Sequence, residues 1–273
     1  MTNIGRIQRV LGLARSAGRP LVIPYLTVGY PALEETVDLV LAAEAGGADM
    51  LELGLPFSDP LADGPTIQAA SQAALEAGAT IEKAMEIVLA IRRRSELPLL
   101  FMGYANPMFH YGLERFINVM SEVGVDGLIV PDLPDEEAGP VQQEARRRSI
   151  SWVPLIAPTT PPARIPRLDA AATDFTYCIS LTGVTGVRTE LDATLPAYLA
   201  QVSGGAAKPF VVGFGISRPD QIREVAPPAA GVVIGSALIR AIKLAGTAGA
   251  RQTAVTDFVR DFSASARSKG ELD

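Results

Sequence analysis

Side chains that bind transition metals or act as strong nucleophiles are scarce in this chain of 273 residues, which has one cysteine and one histidine. The cysteine, Cys178, excludes an intrachain disulfide and makes the reducing cytosol the expected compartment. One histidine, His110, and one cysteine do not make the ligand set of a zinc site. Schiff-base chemistry is also disfavoured, because no predicted strand ends at one of the lysines, which are Lys83, Lys208, Lys243 and Lys269.

Long apolar runs and long basic runs are absent as well. No apolar run reaches the roughly 18 residues that a membrane span needs, and the first twenty residues lack the apolar core of a signal peptide. The net charge is −6, and the arginine triplets at 92–94 and 146–148 are interpreted as solvated helix ends, because cations suit helix C-termini. We therefore expect a cytoplasmic protein that binds neither nucleic acid nor membrane. A transit peptide is the less favoured interpretation of the arginines near the N-terminus.

Strand and helix patterns alternate along the rest of the chain. Apolar, β-branched runs predict eight strands, and a helical pattern follows each of them. The predicted strands cover 20–29, 49–54, 98–106, 125–134, 150–159, 174–183, 208–217 and 229–236. Such alternation predicts right-handed crossovers and a parallel sheet.

Eight strand–helix units in this length predict a (β/α)8 TIM barrel, with an extra N-terminal helix and an extended helical C-terminus. We expect residues 1–273 to form a single domain. A doubly wound open sheet is the alternative, although no GxGxxG motif follows the first strand. In a barrel the active site lies at the C-terminal ends of the strands, so the segments that follow them carry the functional information.

The last two strands end in glycine-rich loops that predict a phosphate site. Glycines permit close backbone approach, and unpaired N–H groups at a helix N-terminus favour an anion. The residues concerned are Gly213, Gly215, Gly235 and Ser236. Glycine also serves tight strand–helix turns, but the two loops together favour phosphate.

The second strand and its loop, "LELGLPFSDPLADGP", contain three acids: Glu52, Asp59 and Asp63. Glu52 alternates with two leucines, so it faces the barrel interior if they pack outward. A buried carboxyl there predicts a general acid/base, whereas a Glu–Arg pair or a solvated strand end is the structural alternative. Asp63 could instead cap the following helix, and Asp59 could be an ordinary turn residue. If the protein cleaves a bond, carboxylates must do so, because neither a lysine nor a zinc site is available, and the substrate must supply its own electron sink.

The motif "LELGLPFSDPLADGPTIQ" resembles the signature of the tryptophan synthase alpha chain family. "PYLTVGYP", "YANP", "GVTGVR", "GFGIS" and "GSALI" match the same family in order, and the resemblance covers roughly positions 20 to 240. It implies a barrel that cleaves indole-3-glycerol phosphate to indole and glyceraldehyde 3-phosphate. It also implies no cofactor in this chain and a beta-chain partner that carries pyridoxal phosphate, in an alpha2beta2 heterotetramer.

Individual roles follow from the resemblance, motif by motif. Glu52 matches the acid/base glutamate, and Asp63 matches the aspartate that binds the indole N–H. The remaining substrate-binding positions are Tyr25, Met102, Tyr177, Thr185, Gly186, Gly215, Gly235 and Ser236. Partner contacts are expected at Asp59, Asn106 and Pro107. The segment "SLTGVTGVR" matches the lid, in which Thr185 reaches Asp63 and Arg188 is an anchor by our hypothesis only.

Some positions differ from the family pattern. They affect the lid and the expected partner surface, whereas the acids Glu52 and Asp63 match the pattern. Tyr30, Leu181 and Thr182 replace more polar residues, and helical sequence continues beyond Ala245. Two other functions stay open at this point. One is another phosphate-binding barrel isomerase or lyase, and the other is a catalytically silent chain that activates a partner subunit.

Overall fold

The strands of the protein are short and form one parallel sheet. The structure is a computed structural model that describes residues 4–179, 193–213 and 215–268. Within these residues the strands are β1 (Leu21–Thr27), β2 (Leu51–Gly54), β3 (Leu99–Met102), β4 (Gly127–Ile129), β5 (Ser151–Trp152), β6 (Leu155–Ile156), β7 (Thr176–Ile179), β8 (Phe210–Gly213) and β9 (Gly231–Ile234). Almost every strand residue is buried, as expected for a parallel sheet that is covered on both faces.

Helices follow the strands in alternation. They are α1 (Ile4–Ser16), α2 (Thr36–Ala45), α3 (Pro65–Glu76), α4 (Ile81–Arg92), α5 (Ala105–Tyr111), α6 (Leu113–Val123), α7 (Gly139–Arg147), α8 (Ile165–Ala171), α9 (Leu195–Gly205), α10 (Ile222–Val225), α11 (Ser236–Leu244) and α12 (Ala248–Arg267). Single 3-10 turns precede three of them, at Leu33–Glu35, Pro162–Arg164 and Pro219–Gln221. Helix α3 ends before Gly78, and the next helix, α4, has Thr80 as its N-cap, whose Oγ1 accepts from Lys83 N.

The sheet closes on itself through the predicted fifth strand. Its order is β5-β4-β3-β2-β1-β9-β8-β7-β6, so the two edges, β5 and β6, are consecutive pieces of one chain segment. Between them Val153 N donates to Leu128 O on one side, while Pro154 O accepts from Tyr177 N on the other. Proline has no N–H, which interrupts the ladder at this point. The barrel is confirmed, and the doubly wound alternative is wrong.

The N-terminal end of the barrel is held by ion pairs under α1. Asp126, just before β4, is fully buried and accepts from Arg92 at 2.7 Å, from Arg6 at 3.2 Å and from Leu99 N at 2.9 Å. The interpretation of Arg92 as a solvated helix end is therefore wrong, since its side chain is only 10% exposed. Arg93 and Arg94 are exposed, as predicted.

The extended C-terminus is helical, as predicted, and packs on α2. Thr256 Oγ1 donates to Ala42 O at 3.0 Å. A Cβ at Gly46 would overlap the backbone of Thr256, so the glycine permits the two helices to approach closely. None of the helices in the described part of the chain is long and apolar enough to cross a bilayer.

One predicted strand boundary is wrong. Asn106 does not end the third strand but lies with Pro107 in α5, because proline is tolerated in the first turn of a helix. Helix α7 begins at Gly139, so Pro140 lies in its first turn, where proline is tolerated.

Candidate active site

Glu52 lies in the middle of β2 and faces the barrel interior. It pairs in register with Tyr25 on β1 and Leu100 on β3. The residue is 1% exposed, and its Oε2 atom has no hydrogen-bond partner among the residues that the structure describes. Burial, followed by the charge of Asp63, raises the pKa of Glu52 to about 8. Both structural alternatives, an arginine pair and a solvated strand end, are therefore wrong.

Asp63 is the second buried acid, on the loop between β2 and α3. It is 8% exposed, and its Oδ2 accepts from the Tyr104 hydroxyl at 2.9 Å. The predicted capping alternative is wrong, because the N-cap of α3 is Gly64 and no side chain caps this helix. Burial raises the pKa of Asp63 to about 6, while the hydrogen bond from Tyr104 opposes the shift.

Tyr104 has no role in the sequence-based predictions, yet it fixes this loop. Its hydroxyl accepts from Ala62 N at 3.1 Å as well as donating to Asp63. Its ring packs against Phe57 with centroids 5.2 Å apart. Phe57 is in turn held from α3, since its N–H donates to Ser71 Oγ at 2.9 Å. The signal was present in the sequence, because Tyr104, the first residue of "YANP", comes two positions after the end of β3.

Tyr25 and Tyr177 line the interior beside the two acids. Each hydroxyl lies over a glycine at the end of a neighbouring strand, where a Cβ would overlap it: Gly54 for Tyr25 and Gly213 for Tyr177. Burial, and then the charges of both acids, raise the pKa values of the two phenols. Tyr25, Tyr177 and the two acids, Glu52 and Asp63, therefore share one apolar enclosure.

Met102 ends β3 in register with Gly54 and is 7% exposed. Its side chain belongs to the same buried core cluster as Tyr25 and Tyr177. This places an apolar residue on the strand next to the two acids, in keeping with the predicted pocket for an aromatic ring.

The predicted phosphate loops follow β8 and β9, which are neighbours in the sheet. Gly215 has a φ of +83°, a conformation that favours glycine. Gly235 is the N-cap of α11, whose first residue is Ser236. The first N–H groups of a helix have no intrahelical acceptor, so they point toward an incoming anion. Thr185, Gly186 and Arg188 lie outside the described residues.

Two of the three predicted partner residues are exposed, and the third, Pro107, is half-buried. Asp59 is exposed and accepts from its neighbour Ser58, and Asn106 is exposed on α5. Two large apolar side chains near them are also exposed, Leu61 at 88% and Phe109 at 49%. A rim that combines polar and exposed apolar residues is typical of a protein interface.

Other groups of polar residues do not compete with this site. A cavity of about 370 Å³ is lined by Asp132, Asp135 and Trp152, among others, and by none of the site residues described above. Both carboxylates already have structural partners, Ala105 N for Asp132 and Arg167 for Asp135. Within the described ranges no cluster of three or more histidine, cysteine or acidic side chains could hold a metal ion. Cys178 is buried, and burial raises the pKa of its thiol to about 12, while His110 is exposed.

The site thus combines two buried acids with shifted pKa values, an apolar enclosure and glycine loops suited to phosphate. The model of one family, the tryptophan synthase alpha chain, matches residues 11–267. The chain belongs to the tryptophan synthase alpha chain family. Its family's reaction is the cleavage of indole-3-glycerol phosphate, so the chain is a carbon–carbon lyase of tryptophan biosynthesis.

Individual relatives agree with the family match. The tryptophan synthase alpha chain of Roseiflexus sp. (strain RS-1) is 46% identical over 260 residues, which cover 95% of this chain and 99% of the relative. That of Chloroflexus aurantiacus is 51% identical over 237 residues, or 86% and 89% of the two chains. Among solved structures, the alpha chain from Legionella pneumophila subsp. pneumophila has a TM-score of 0.89 at 33% identity, and covers 98% of this chain and 99% of its own.

Proposed function

We propose that Glu52 is the general acid/base and Asp63 the electrostatic partner in the cleavage of indole-3-glycerol phosphate. The observation that carries this proposal is the buried pair itself, with a pKa near 8 for Glu52 and near 6 for Asp63. Between these two values Glu52 holds a proton and Asp63 carries a negative charge. One acid is then ready to donate a proton while the other is ready to stabilise a cation.

This division of labour matches the chemistry of the substrate. Indole C3 is a poor carbanion, so a direct retro-aldol cleavage is unfavourable. Protonation of C3 by Glu52 converts the ring to an indolenine, whose C=N+ accepts the electrons of the breaking C–C bond. Glu52, now ionised, takes the proton of the carbinol hydroxyl as that oxygen becomes the aldehyde. Asp63 stabilises the positive ring nitrogen, most strongly where water is excluded.

The other site residues are proposed to bind the substrate. Tyr25, Met102 and Tyr177 surround the indole and its chain, because their side chains enclose the two acids. Gly215, Gly235 and Ser236 bind the phosphate through backbone N–H groups and one hydroxyl. Gly186 and Thr185 are assigned to the phosphate loop and the lid by resemblance alone.

We further propose that the chain works with a beta chain in an alpha2beta2 heterotetramer. The partner would hold pyridoxal phosphate and regulate cleavage allosterically, and Asp59, Asn106 and Pro107 would contact it. The exposed Leu61 and Phe109 support this assignment, because apolar side chains at such a rim gain from being covered. The complex is expected in the cytoplasm.

The two alternative functions fit less well. Another barrel isomerase would need the phosphate loops but not a second buried acid beside Glu52. A silent activator would need only the surface at Asp59 and Asn106. Neither alternative accounts for two carboxyls kept in an apolar enclosure, where each costs stability when ionised.

The decisive experiment measures indole release from indole-3-glycerol phosphate by the wild-type chain and by Glu52→Gln, with and without a beta chain. We expect a loss of at least about 10²–10⁴-fold in Glu52→Gln with substrate binding retained. Glu82→Gln is the matched control, since Glu82 is exposed on α4. Near-normal turnover by Glu52→Gln would overturn the assignment.

The phosphate loops have a separate test in Gly235→Ala. A Cβ at Gly235 meets Tyr25 at 3.5 Å, an ordinary contact distance, so the fold should tolerate the methyl group. The methyl would nevertheless occupy the approach of the anion. We expect KM and the inhibition constant of inorganic phosphate to rise with little change in kcat. An unchanged phosphate affinity would show that the loop does not hold this group.

A further inference from the structure

The hydroxyl of Tyr25 is a buried donor for which the described residues supply no acceptor. Thr27 Oγ1 donates to the Tyr25 phenol oxygen at 3.4 Å, which leaves the O–H proton of Tyr25 unused. Both residues lie in β1 and are 7% and 1% exposed. Buried donors in folded proteins nearly always have partners, so an unused one at a candidate site points to a bound ligand.

The Tyr25 hydroxyl lies between Glu52 and the mouth of the barrel. Glu52 and Gly54 are two residues apart on β2, so they face the same side of the sheet. Gly54 has no side chain, and a Cβ built there would overlap the hydroxyl and ring of Tyr25. The space directly above Glu52 is thus filled by this hydroxyl. A ligand that reaches Glu52 from the mouth must lie against it.

The other end of the Tyr25 side chain adjoins the proposed phosphate loop. A Cβ at Gly235 would be 3.5 Å from Tyr25 Cβ and 3.7 Å from its ring. One side chain therefore runs from the phosphate loop to the reactive carboxyl. The glycerol chain of the substrate joins phosphate to indole C3 over the same interval, so it lies along this ring. The chain atom nearest the indole is the carbinol carbon.

We propose that Tyr25 is a catalytic residue that donates a hydrogen bond to the carbinol oxygen next to indole C3, with Thr27 as its positioning residue; this inference rests on the proposed retro-aldol function. In the cleavage step the bond between the carbinol carbon and indole C3 breaks, and its electron pair moves into the C=N+ of the indolenine. The carbinol proton passes to the Glu52 carboxylate, and the carbinol oxygen becomes the aldehyde oxygen.

The hydrogen bond strengthens as the reaction proceeds, because the oxygen gains negative character while its proton leaves. Tyr25 itself keeps its proton. Burial and the neighbouring acids raise the pKa of its phenol, so it acts as a donor and not as a base.

The test compares Tyr25→Phe with the wild-type chain. We expect kcat to fall between about tenfold and about 100-fold, less than the loss of a dedicated oxyanion donor. The affinity for an indolyl-alkyl phosphate without chain hydroxyls should change by less than about twofold, because the ring stays in place. Tyr198→Phe is the matched control. It removes a buried hydroxyl on α9 that donates to Ile156 O. We expect kcat to stay unchanged.

Two variants of Thr27 distinguish its role in positioning Tyr25 from a role in packing. Thr27→Val removes the donor to Tyr25 and should lower kcat several-fold with KM unchanged. Thr27→Ser keeps the hydroxyl and should restore kcat. Equal activity of the valine and serine variants would refute the positioning role.

The failures of this inference and of the proposed function are distinguishable. Full activity in Tyr25→Phe, together with an inactive Glu52→Gln, overturns the role of Tyr25 and leaves the retro-aldol proposal intact. A parallel loss of analogue affinity and kcat in Tyr25→Phe reduces Tyr25 to a packing residue. Retained cleavage in Glu52→Gln overturns the retro-aldol assignment and this inference with it.

Discussion

The hydroxyl of Tyr104 donates to Asp63 Oδ2 at 2.9 Å, and this bond joins the end of β3 to the loop that follows β2. It holds the carboxylate inside the barrel mouth, away from the helix terminus that it would otherwise cap. The same bond opposes the effect of burial on the pKa of Asp63. Tyr104 therefore helps to keep Asp63 ionised near neutral pH.

Replacement of Tyr104 by phenylalanine should change the ionisation of Asp63. The carboxylate of Asp63 loses its donor, so its pKa should rise further and the acid side of the pH–rate profile should move to higher pH. We expect kcat/KM to fall by about tenfold or more, as for a hydrogen bond to a charged group. Tyr111→Phe is the control, because Tyr111 is in α5 and its ring packs against Phe116 and under the guanidinium of Arg115. An unshifted profile in Tyr104→Phe would contradict this role.

The two shifted pKa values predict a bell-shaped dependence of kcat/KM on pH. Asp63 must be ionised, so activity should decline below about pH 6. Glu52 must hold a proton, so activity should decline above about pH 8. The substrate phosphate also ionises near pH 6, which makes the alkaline limb the more diagnostic one. Activity that rises steadily to pH 9 would exclude a protonated Glu52 in the active enzyme.

Burial of Glu52 also predicts a stability effect with a definite sign. Its pKa is raised from 4.5 to about 8, so between these values the folded chain binds a proton that the unfolded chain releases. Folding is then favoured at low pH, and stability is lost as pH rises toward 8, by up to about 1.4 kcal/mol per pH unit. Urea unfolding of Glu52→Gln should therefore show a growing advantage over wild type from pH 5 to pH 8. The free energy of unfolding of Glu82→Gln should depend on pH as that of the wild type does.

The buried ion pair of Arg92 with Asp126 predicts that only Arg92, of the arginine triplet at 92–94, contributes strongly to the free energy of unfolding. Arg92→Ala leaves the fully buried Asp126 with Arg6 as its remaining ionic partner. It also removes the donor to Leu97 O at 2.6 Å. We expect the free energy of unfolding to fall by roughly 3 kcal/mol or more. The adjacent Arg93→Ala, at an exposed position, should change it by less than about 0.5 kcal/mol. An equal loss of stability in Arg92→Ala and Arg93→Ala would refute the structural role of the Arg92 ion pair.

Much of the fold could be predicted from local patterns, because strand and helix periodicities are short-range properties. The alternation of units indicated the barrel, and the leucines around Glu52 indicated which way its carboxyl points. The first turn of α5 at Asn106 was missed, since a strand-end motif and a helix start look alike in sequence. Arg92 was misjudged for a related reason. Its partner Asp126 lies 34 positions away along the chain, so no local pattern connects them.

The sequence by itself determined that carboxylates are the leading candidates for the chemistry, because one histidine, one cysteine and four lysines leave few other groups for it. It also determined which loops offer glycines to an anion. Only the tertiary structure decided that Asp63 turns inward to Tyr104, and that Tyr25 fills the space above Glu52 left by Gly54. These relationships join residues on neighbouring strands or on the loops that follow them, and the parallel sheet brings them together. Burial then shifts the pKa values, because the cost of an ionised group depends on the surroundings that the folded chain places around it.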